Sequence, residues 1–165
     1  MKHYTNADIR NLDKLFRLNL INSCTGYKSA NLIATRSTSG VSNVAVFNSV
    51  FHLGSNPPLL GFIMRPATVP RNTLENINAT STIKMGCRYV NEYHIKENDS
   101  ILIVAEIEHL YFEEGIQMPD GWLRLEDAET VAINGLDGYA LPTLLDRFHY
   151  ARPGKEIKSF FKEEK

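Results

Sequence analysis

The sequence predicts one mostly β domain, a sandwich or barrel with few helices, and three observations carry that prediction. From Ser29 onward the apolar residues fall in short runs rich in Val, Ile and Phe. Those runs are separated by Gly, Pro, Ser and Asn turns, with no strict alternation of strands and helices. The connections between the early runs are too short for crossover helices, so a parallel, doubly wound sheet is disfavoured and the first three strands are expected to be antiparallel.

The elements follow in order. Asn6 is placed to cap a short helix whose apolar positions Ile9, Leu12, Leu15 and Phe16 recur at helical spacing, with Asp8 in the first turn. SANLIATRS, VSNVAVFNSVF and PPLLGFIM read as strands divided by TSG and GSNPP. SILIVAEIEHLYFEE is continuously apolar in its first half, hence buried on both faces. Its second half alternates, with Ala105, Ile107 and His109 opposite Glu106, Glu108 and Leu110. GIQMPDGW is turn chemistry, LEDAETVAI a short helix or strand, and NGLDGYALP a glycine-punctuated loop. The tail KEIKSFFKEEK reads as a solvated surface helix or a frayed end.

A chain of 165 residues buries roughly 70% of the surface its unfolded form exposes, enough for a core without staples. It is 43% apolar and 22% charged with a formal net charge of -1, so no global field draws in nucleic acid or an anionic membrane, and binding must be local. Cys24 and Cys87 show neither CxxC nor zinc-ligand spacing, and reduced, buried thiols are expected. The start MKHYTNADIRNLDKLF has no apolar signal region, and no later run is free of charges for the roughly 18 residues a membrane span needs. A cytoplasmic location is expected. Without an export signal, the acceptor patterns at Asn78 and Asn98 carry no weight.

The stretch HLGSNPPLLGFIMRPATVPRNTLENI concentrates the functional signal. A helix entry follows Pro70, where Asn72 or Thr73 caps and Glu75 stands in capping-box register with Asn72. The unpaired N–H groups of such an entry, with Arg71 beside it and Arg65 on the incoming loop, suit a phosphate or carboxylate. Pro66 and Pro70 stiffen the loop and lower the entropy lost on binding. The competing explanation is two surface salt bridges and a plain helix cap. Upstream, Asn43, Asn48, Ser49 and Ser55 offer hydrogen-bonding groups to a planar heteroaromatic ligand. Turn and edge chemistry explains Ser55 and Asn56 well, but Asn48 and Ser49, inside an apolar run, less well. His52 lacks a second ligand at metal spacing, so no metal site is assigned, and no Ser-His-Asp, HExxH or P-loop pattern appears.

At these residues the sequence resembles the flavin reductase-like FMN-binding split-barrel family and, within it, the flavoredoxin branch. The resemblance rests on LNLINSCTGYKSANLIATRSTSGVSNVAVFNSVFHLGSNPPLLGFIMRP, RNTLENI, STIKMGCRYVNEYHIKENDSILIVAEIEHLY and VAINGLDGYALPTLLDRFHYARP. It aligns the family's G-x-x-N turn with Asn43, its flavin-site strand with Phe47, Asn48, Ser49 and Val50, its PPL with Pro57 to Leu59, and its Arg-Asx-Thr helix start with Arg71, Asn72 and Thr73. It implies a split β-barrel of Greek-key order with a few short helices, forming a homodimer with FMN near the subunit interface. The segment from Arg65 to Thr73 would hold the FMN phosphate, and Asn48, Ser49 and Val50 would approach the isoalloxazine. The flavin accepts hydride itself, so no catalytic triad is needed.

One departure stands out. Family members place a strand and a partly helical excursion between the helix matching LENI and the region matching STIKMG, whereas ENINATS here runs directly into TIKMG. The expectation is a single domain over residues 1–165 with a segment omitted or deleted near 79–83. Omission is favoured, because the flanks match without decay and a lost barrel strand would leave long unpaired edges. Three functions compete. The first is an FMN-dependent oxidoreductase passing electrons from NAD(P)H or a protein donor to flavin or another acceptor. The second is an FMN electron carrier that does not react with NAD(P)H. The third is a non-redox β-barrel binding module, disfavoured by the lack of a basic, aromatic-interleaved face.

Overall fold

The N-terminal residues form two helices where the apolar spacing predicted one. In the computed structural model, which describes residues 1–36, 39–65, 82–150, 153–154 and 156–161, α1 spans Asn6–Asn11 and α2 spans Lys14–Cys24. Thr5, not Asn6, caps α1. Its Oγ1 accepts from the Asp8 N–H at 3.2 Å, and Asp8 Oδ2 accepts from the Thr5 N–H at 2.8 Å, a reciprocal capping box. The chain becomes extended at Leu12, and Asp13 restarts the helix by accepting from the Phe16 and Leu15 N–H groups at 3.1 and 2.9 Å. The Thr5 hydroxyl, donating to Asp8 Oδ2 at 2.7 Å, and then the Thr5 N–H hold the Asp8 carboxyl below the usual carboxylate range, and the Phe16 and Leu15 N–H groups do the same for Asp13. α2 buries none of its residues, and Leu15, Phe16, Leu18 and Ile21 are exposed.

The strands are β1 (Lys28–Ser29), β2 (Asn31–Arg36), β3 (Ser42–Phe47), β4 (Val50–Ser55), β5 (Pro58–Met64), β6 (Ile83–Ile95), β7 (Ser100–Phe112), β8 (Ala132–Asn134) and β9 (Gly138–Ala140). All their pairings are antiparallel, as expected. β2 and β3 form a hairpin, β4-β5-β7-β6 a four-stranded sheet and β1-β8-β9 a three-stranded one. The run VSNVAVFNSVF is two strands, broken at Asn48 and Ser49, which explains two polar residues inside an apolar run. Gly61 of β5 lies opposite Phe51 of β4, and a Cβ there would stand 2.8 Å from the Phe51 ring. The close approach of the two strands' side chains at this point depends on glycine.

β7 carries the core of the larger sheet. Val104 and Ala105, on opposite faces, are both buried, as the continuous run SILIVA predicted. Glu106 and Glu108 share one face, where Arg88 of β6 pairs with both. Beyond Glu106 the last partner from β5 is gone, and β7 continues with β6 alone. His109, Leu110 and Tyr111 there are exposed, as are Met85, Tyr89, Val90 and Tyr93 of β6.

The C-terminal third departs from expectation in two places. NGLDGYALP contributes a β8–β9 hairpin rather than a loop. LEDAETVAI, expected to hold a short helix or strand, is a set of turns that ends in the first two residues of β8, where Ile133 is 2% exposed. The tail is docked rather than frayed through its described residues. The His149 N–H donates to Lys158 O at 3.0 Å, the Phe160 N–H to Arg147 O at 2.7 Å, and Ser159 Oγ to Asp146 Oδ1 at 2.9 Å. The Arg147 guanidinium lies 4.6 Å from the Trp122 ring centroid and 4.2 Å from that of Phe160, and it pairs with Asp120. Both cysteines are free and exposed, not buried as expected.

Trp122 is the single tryptophan of the chain, so its emission reports on this clasp directly. Arg147→Ala is expected to cost about 1 to 2 kcal/mol through the lost cation–ring contacts and to shift Trp122 emission towards that of a solvated indole. The hydrogen bond from Arg147 holds the Asp120 carboxyl below its ordinary value. With a depressed folded-state value, the contribution of this pair is present above the ordinary carboxylate range and lost as pH falls through the depressed one. Trp122 emission of the parent protein should therefore change only in strong acid, and an unchanged spectrum in the variant would show that Arg147 does not hold the tail.

Candidate functional site

Four parts of the chain converge at one end of the strands. The break between β3 and β4 is held from below by β5: Ser49 Oγ donates to Ile63 O at 3.1 Å, and the Ile63 N–H returns a bond to Ser49 O at 3.3 Å. Phe47, the last residue of β3, meets Phe62 of β5 edge to face with centroids 5.4 Å apart. Asn48 Nδ2 donates to Gly135 O at 3.2 Å, which ties the β3–β4 break to the β8–β9 turn. That turn lies near the end of α2, since a Cβ on Gly135 would stand 3.7 Å from Ser23 Cβ. Ser29 Oγ of β1 donates to Val50 O at 3.5 Å, a long contact. Arg65, just past β5, donates from Nη2 to Asn22 Oδ1 at 3.1 Å, reaching α2 from the other side.

Phe47, Asn48, Ser49, Val50 and Arg65 are therefore brought to one end. Asn43 and Ser55 are not. Asn43 is a strand residue of β3 four positions before Phe47, about 13 Å along the strand, and Ser55 closes β4 about 17 Å from Val50. Ser55 Oγ lies 3.2 Å from His52 Nε2, at the β4–β5 turn. Arg71, Asn72 and Thr73, with the stiffening Pro66 and Pro70, lie outside the described residues, as do residues 79–81 of the junction. Among the described residues no cluster of three or more His, Cys, Asp or Glu side chains is arranged to hold a metal ion.

The side chains of Asn48 and Ser49 are engaged within the chain, and Ser49 O accepts from the Ile63 N–H. Among the described residues no acceptor meets the backbone N–H of Asn48 or of Ser49. Two adjacent donors at a strand break, with the Arg65 cation at the same end, form a donor set suited to an electron-rich ring and an anionic tail. Two further residues stand at this end without any motif to mark them, Asn22 and Lys28. The signal that points to them is the charge pattern: no Asp or Glu occurs between Asp13 and Glu75.

No family model and no curated protein matches the sequence. Solved structures do match. A Shewanella frigidimarina NCIMB 400 protein described as a "putative flavin reductase with split barrel domain" superposes with a TM-score of 0.83 at 28% identity, over 92% of this chain and 100% of that one. This chain has the flavin reductase-like split-barrel fold. Two more distant structures share that split barrel, and at their identity they speak to fold alone. Nitrilotriacetate monooxygenase component B from Bacillus cereus matches with a TM-score of 0.68 at 12% identity, over 89% of this chain and 98% of that one. The flavoredoxin of Desulfovibrio vulgaris (Miyazaki F) matches with a TM-score of 0.58 at 12% identity, over 93% and 98%. The Shewanella match is consistent with the flavin reductase-like family that the sequence resembles. Among the described residues of this split barrel, no helix is long and apolar enough to cross a membrane.

Proposed function

We propose that this chain is an FMN-binding flavin reductase-like oxidoreductase, acting as a cytoplasmic homodimer, that takes electrons from NAD(P)H or a protein donor and passes them to flavin or another acceptor. The observation that carries the reading is the pair of N–H groups at Asn48 and Ser49 that find no acceptor among the described residues, at the end of the split barrel where Arg65 supplies a cation. A flavin with a phosphate tail fits this donor set. Bound there, FMN would supply the hydride and electron chemistry. The protein's own contribution is to bind and orient. The Asn48 and Ser49 N–H groups would hold the ring as hydrogen-bond donors, suited to negative charge there. Phe47, buttressed by Phe62, sets the position of those donors. Arg65, with Arg71 and the cap at Asn72 or Thr73, is assigned to the phosphate.

A second copy of the chain is assigned to the exposed apolar surface of α2, β6 and the end of β7. Leu15, Phe16, Ile21, Tyr89, Tyr93 and Tyr111 are all at least two-fifths exposed, and large exposed apolar side chains are what associating surfaces carry. Sedimentation should give a dimer.

The function is tested by rapid anaerobic mixing of FMN-loaded protein with NADH and with NADPH. Fast bleaching of the bound flavin by either is expected. Flavin that binds but is bleached by neither would make the chain an electron carrier fed by a protein donor.

A further inference from the structure

Two cations that no carboxylate answers among the described residues meet on one neutral residue. Asn22 lies in the last turn of α2, where its Nδ2 donates to Leu18 O at 2.8 Å and fixes the amide plane. Its Oδ1 is then free to accept from Arg65 Nη2 at 3.1 Å. Its backbone carbonyl, one of the last four of the helix and so without an intrahelical donor, accepts from Lys28 Nζ at 2.6 Å. Lys28 comes from β1 and Arg65 from the end of β5, so two separate strands deliver their charges to the same amino acid.

A carboxylate is the usual answer to such a pair, and none is near in sequence. Lys14, Arg17, Lys28, Arg36, Arg65 and Arg71 all fall between Asp13 and Glu75, a segment without Asp or Glu, in a chain whose 19 acids and 18 bases otherwise balance. Among the described residues the ion pairs are made by Arg88, His94, Arg124 and Arg147, not by Lys28 or Arg65. Lys28 is half-buried, which raises the cost of leaving its charge uncompensated. Each cation spends only part of its donors on Asn22: an ammonium carries three N–H groups and a guanidinium five. A planar carboxylate is satisfied by an arginine fork alone, whereas a tetrahedral phosphate takes donors from separate directions.

We propose that Lys28 and Arg65, organised by Asn22, form a subsite for the phosphate monoester of a nucleotide-type ligand. Lys28 and Arg65 are the binding cations, and Asn22 is the positioning residue. The assignment of the rest of the ligand rests on the flavin reading above, while the anion chemistry stands on the two cations themselves. Lys28 is anchored for this task. Its Cα partner in β8 is the buried Ile133, and the next residue, Ser29, contacts Val50 at the start of β4. Lys28 thereby stands beside the strand break that offers the Asn48 and Ser49 donors. The simpler alternative is that Lys28 only caps the C-terminus of α2.

Lys28→Gln, Lys28→Arg and Asn22→Ala separate these explanations when each is titrated with FMN and with riboflavin, with thermal stability followed alongside. Lys28→Gln should weaken FMN by about 10-fold or more, leave riboflavin nearly unchanged and flatten the salt dependence of FMN binding. Lys28→Arg should restore most of the loss. Asn22→Ala should lower the ratio of FMN to riboflavin affinity, which a purely structural role would not move. If FMN is unaffected but the preference for NADPH over NADH collapses in Lys28→Gln, the phosphate is that of the dinucleotide and the subsite stands. If thermal stability falls while every phosphorylated ligand binds as before, Lys28 is a helix cap and the proposal is overturned. A protein that takes up no flavin would overturn the flavin reading alone. Inorganic phosphate then decides the subsite: it should raise the Tm of the parent protein and not of Lys28→Gln, and an equal effect on both, or none on either, would refute it.

Discussion

Ile133→Ala is expected to remove about 2 to 5 kcal/mol of stability, the range for a buried isoleucine cut back to its Cβ. For a chain of this size that corresponds to roughly 4 to 20 °C in Tm. Ile133 is 2% exposed and occupies the middle strand of the β1-β8-β9 sheet, with Lys28 and Tyr139 as its Cα partners. A strand of three residues has few hydrogen bonds of its own to fall back on, so the cavity is not relieved by the ladder. Ile133→Val removes a single methyl group and should cost only about 0.5 to 1.5 kcal/mol. Denaturant unfolding of both variants checks the pair. A loss below about 1 kcal/mol for the alanine variant would mean that β8 is not part of the cooperative core.

Arg71→Ala is expected to weaken FMN by about 10-fold to 150-fold, the effect of losing a charge-assisted contact of roughly 1.5 to 3 kcal/mol. Arg71 lies outside the described residues, and the prediction rests on the helix entry RNTLE read from the sequence. Riboflavin has no phosphate to lose, so its binding should hardly change, and the salt dependence of FMN affinity should flatten. A variant altered only in thermal stability would place Arg71 in a surface salt bridge. Equal weakening of FMN and riboflavin would place it against the ring or the fold, and the phosphate end of the site would then be wrongly assigned.

What could be read from the sequence follows the range of the interactions involved. Antiparallel strands were legible because their apolar periods and turn residues are local, and the two-sided burial of β7 followed from the unbroken run SILIVA. The capping box of α1 was equally local, yet Asn6 was preferred to Thr5 because both are good caps and only the reciprocal bond to Asp8 separates them. The clasp was not legible. Trp122, Arg147 and Phe160 are far apart in the chain, and nothing in KEIKSFFKEEK announces a ring packed on a distant guanidinium. β8 was legible as the strand alternative for LEDAETVAI, whereas β9 was not, because the glycines of NGLDGYALP mask a strand whose support is its pairing with β8.

The site was legible in part for the same reason. The family-like order of Phe47, Asn48, Ser49 and Val50 marks a strand break that the fold places beside Arg65. Asn43 and Ser55, grouped with them by closeness in sequence, sit at the opposite ends of their strands, because four or five extended residues already cover more than a flavin ring's width. Lys28 and Asn22 meet Arg65 only through folding. Their sequence signature, a long segment with cations and no acids, has no fixed spacing and escapes motif reading.

A flavin site with a phosphate-binding end is tested most directly by flavin uptake in the protein stripped of bound ligand. Absorbance and flavin fluorescence would be followed as FMN, FAD and riboflavin are added in separate titrations. The expected result is a yellow protein that takes up FMN saturably, prefers it to riboflavin, and releases FMN rather than FAD when denatured after purification. A colourless protein that leaves added FMN free in solution would contradict it.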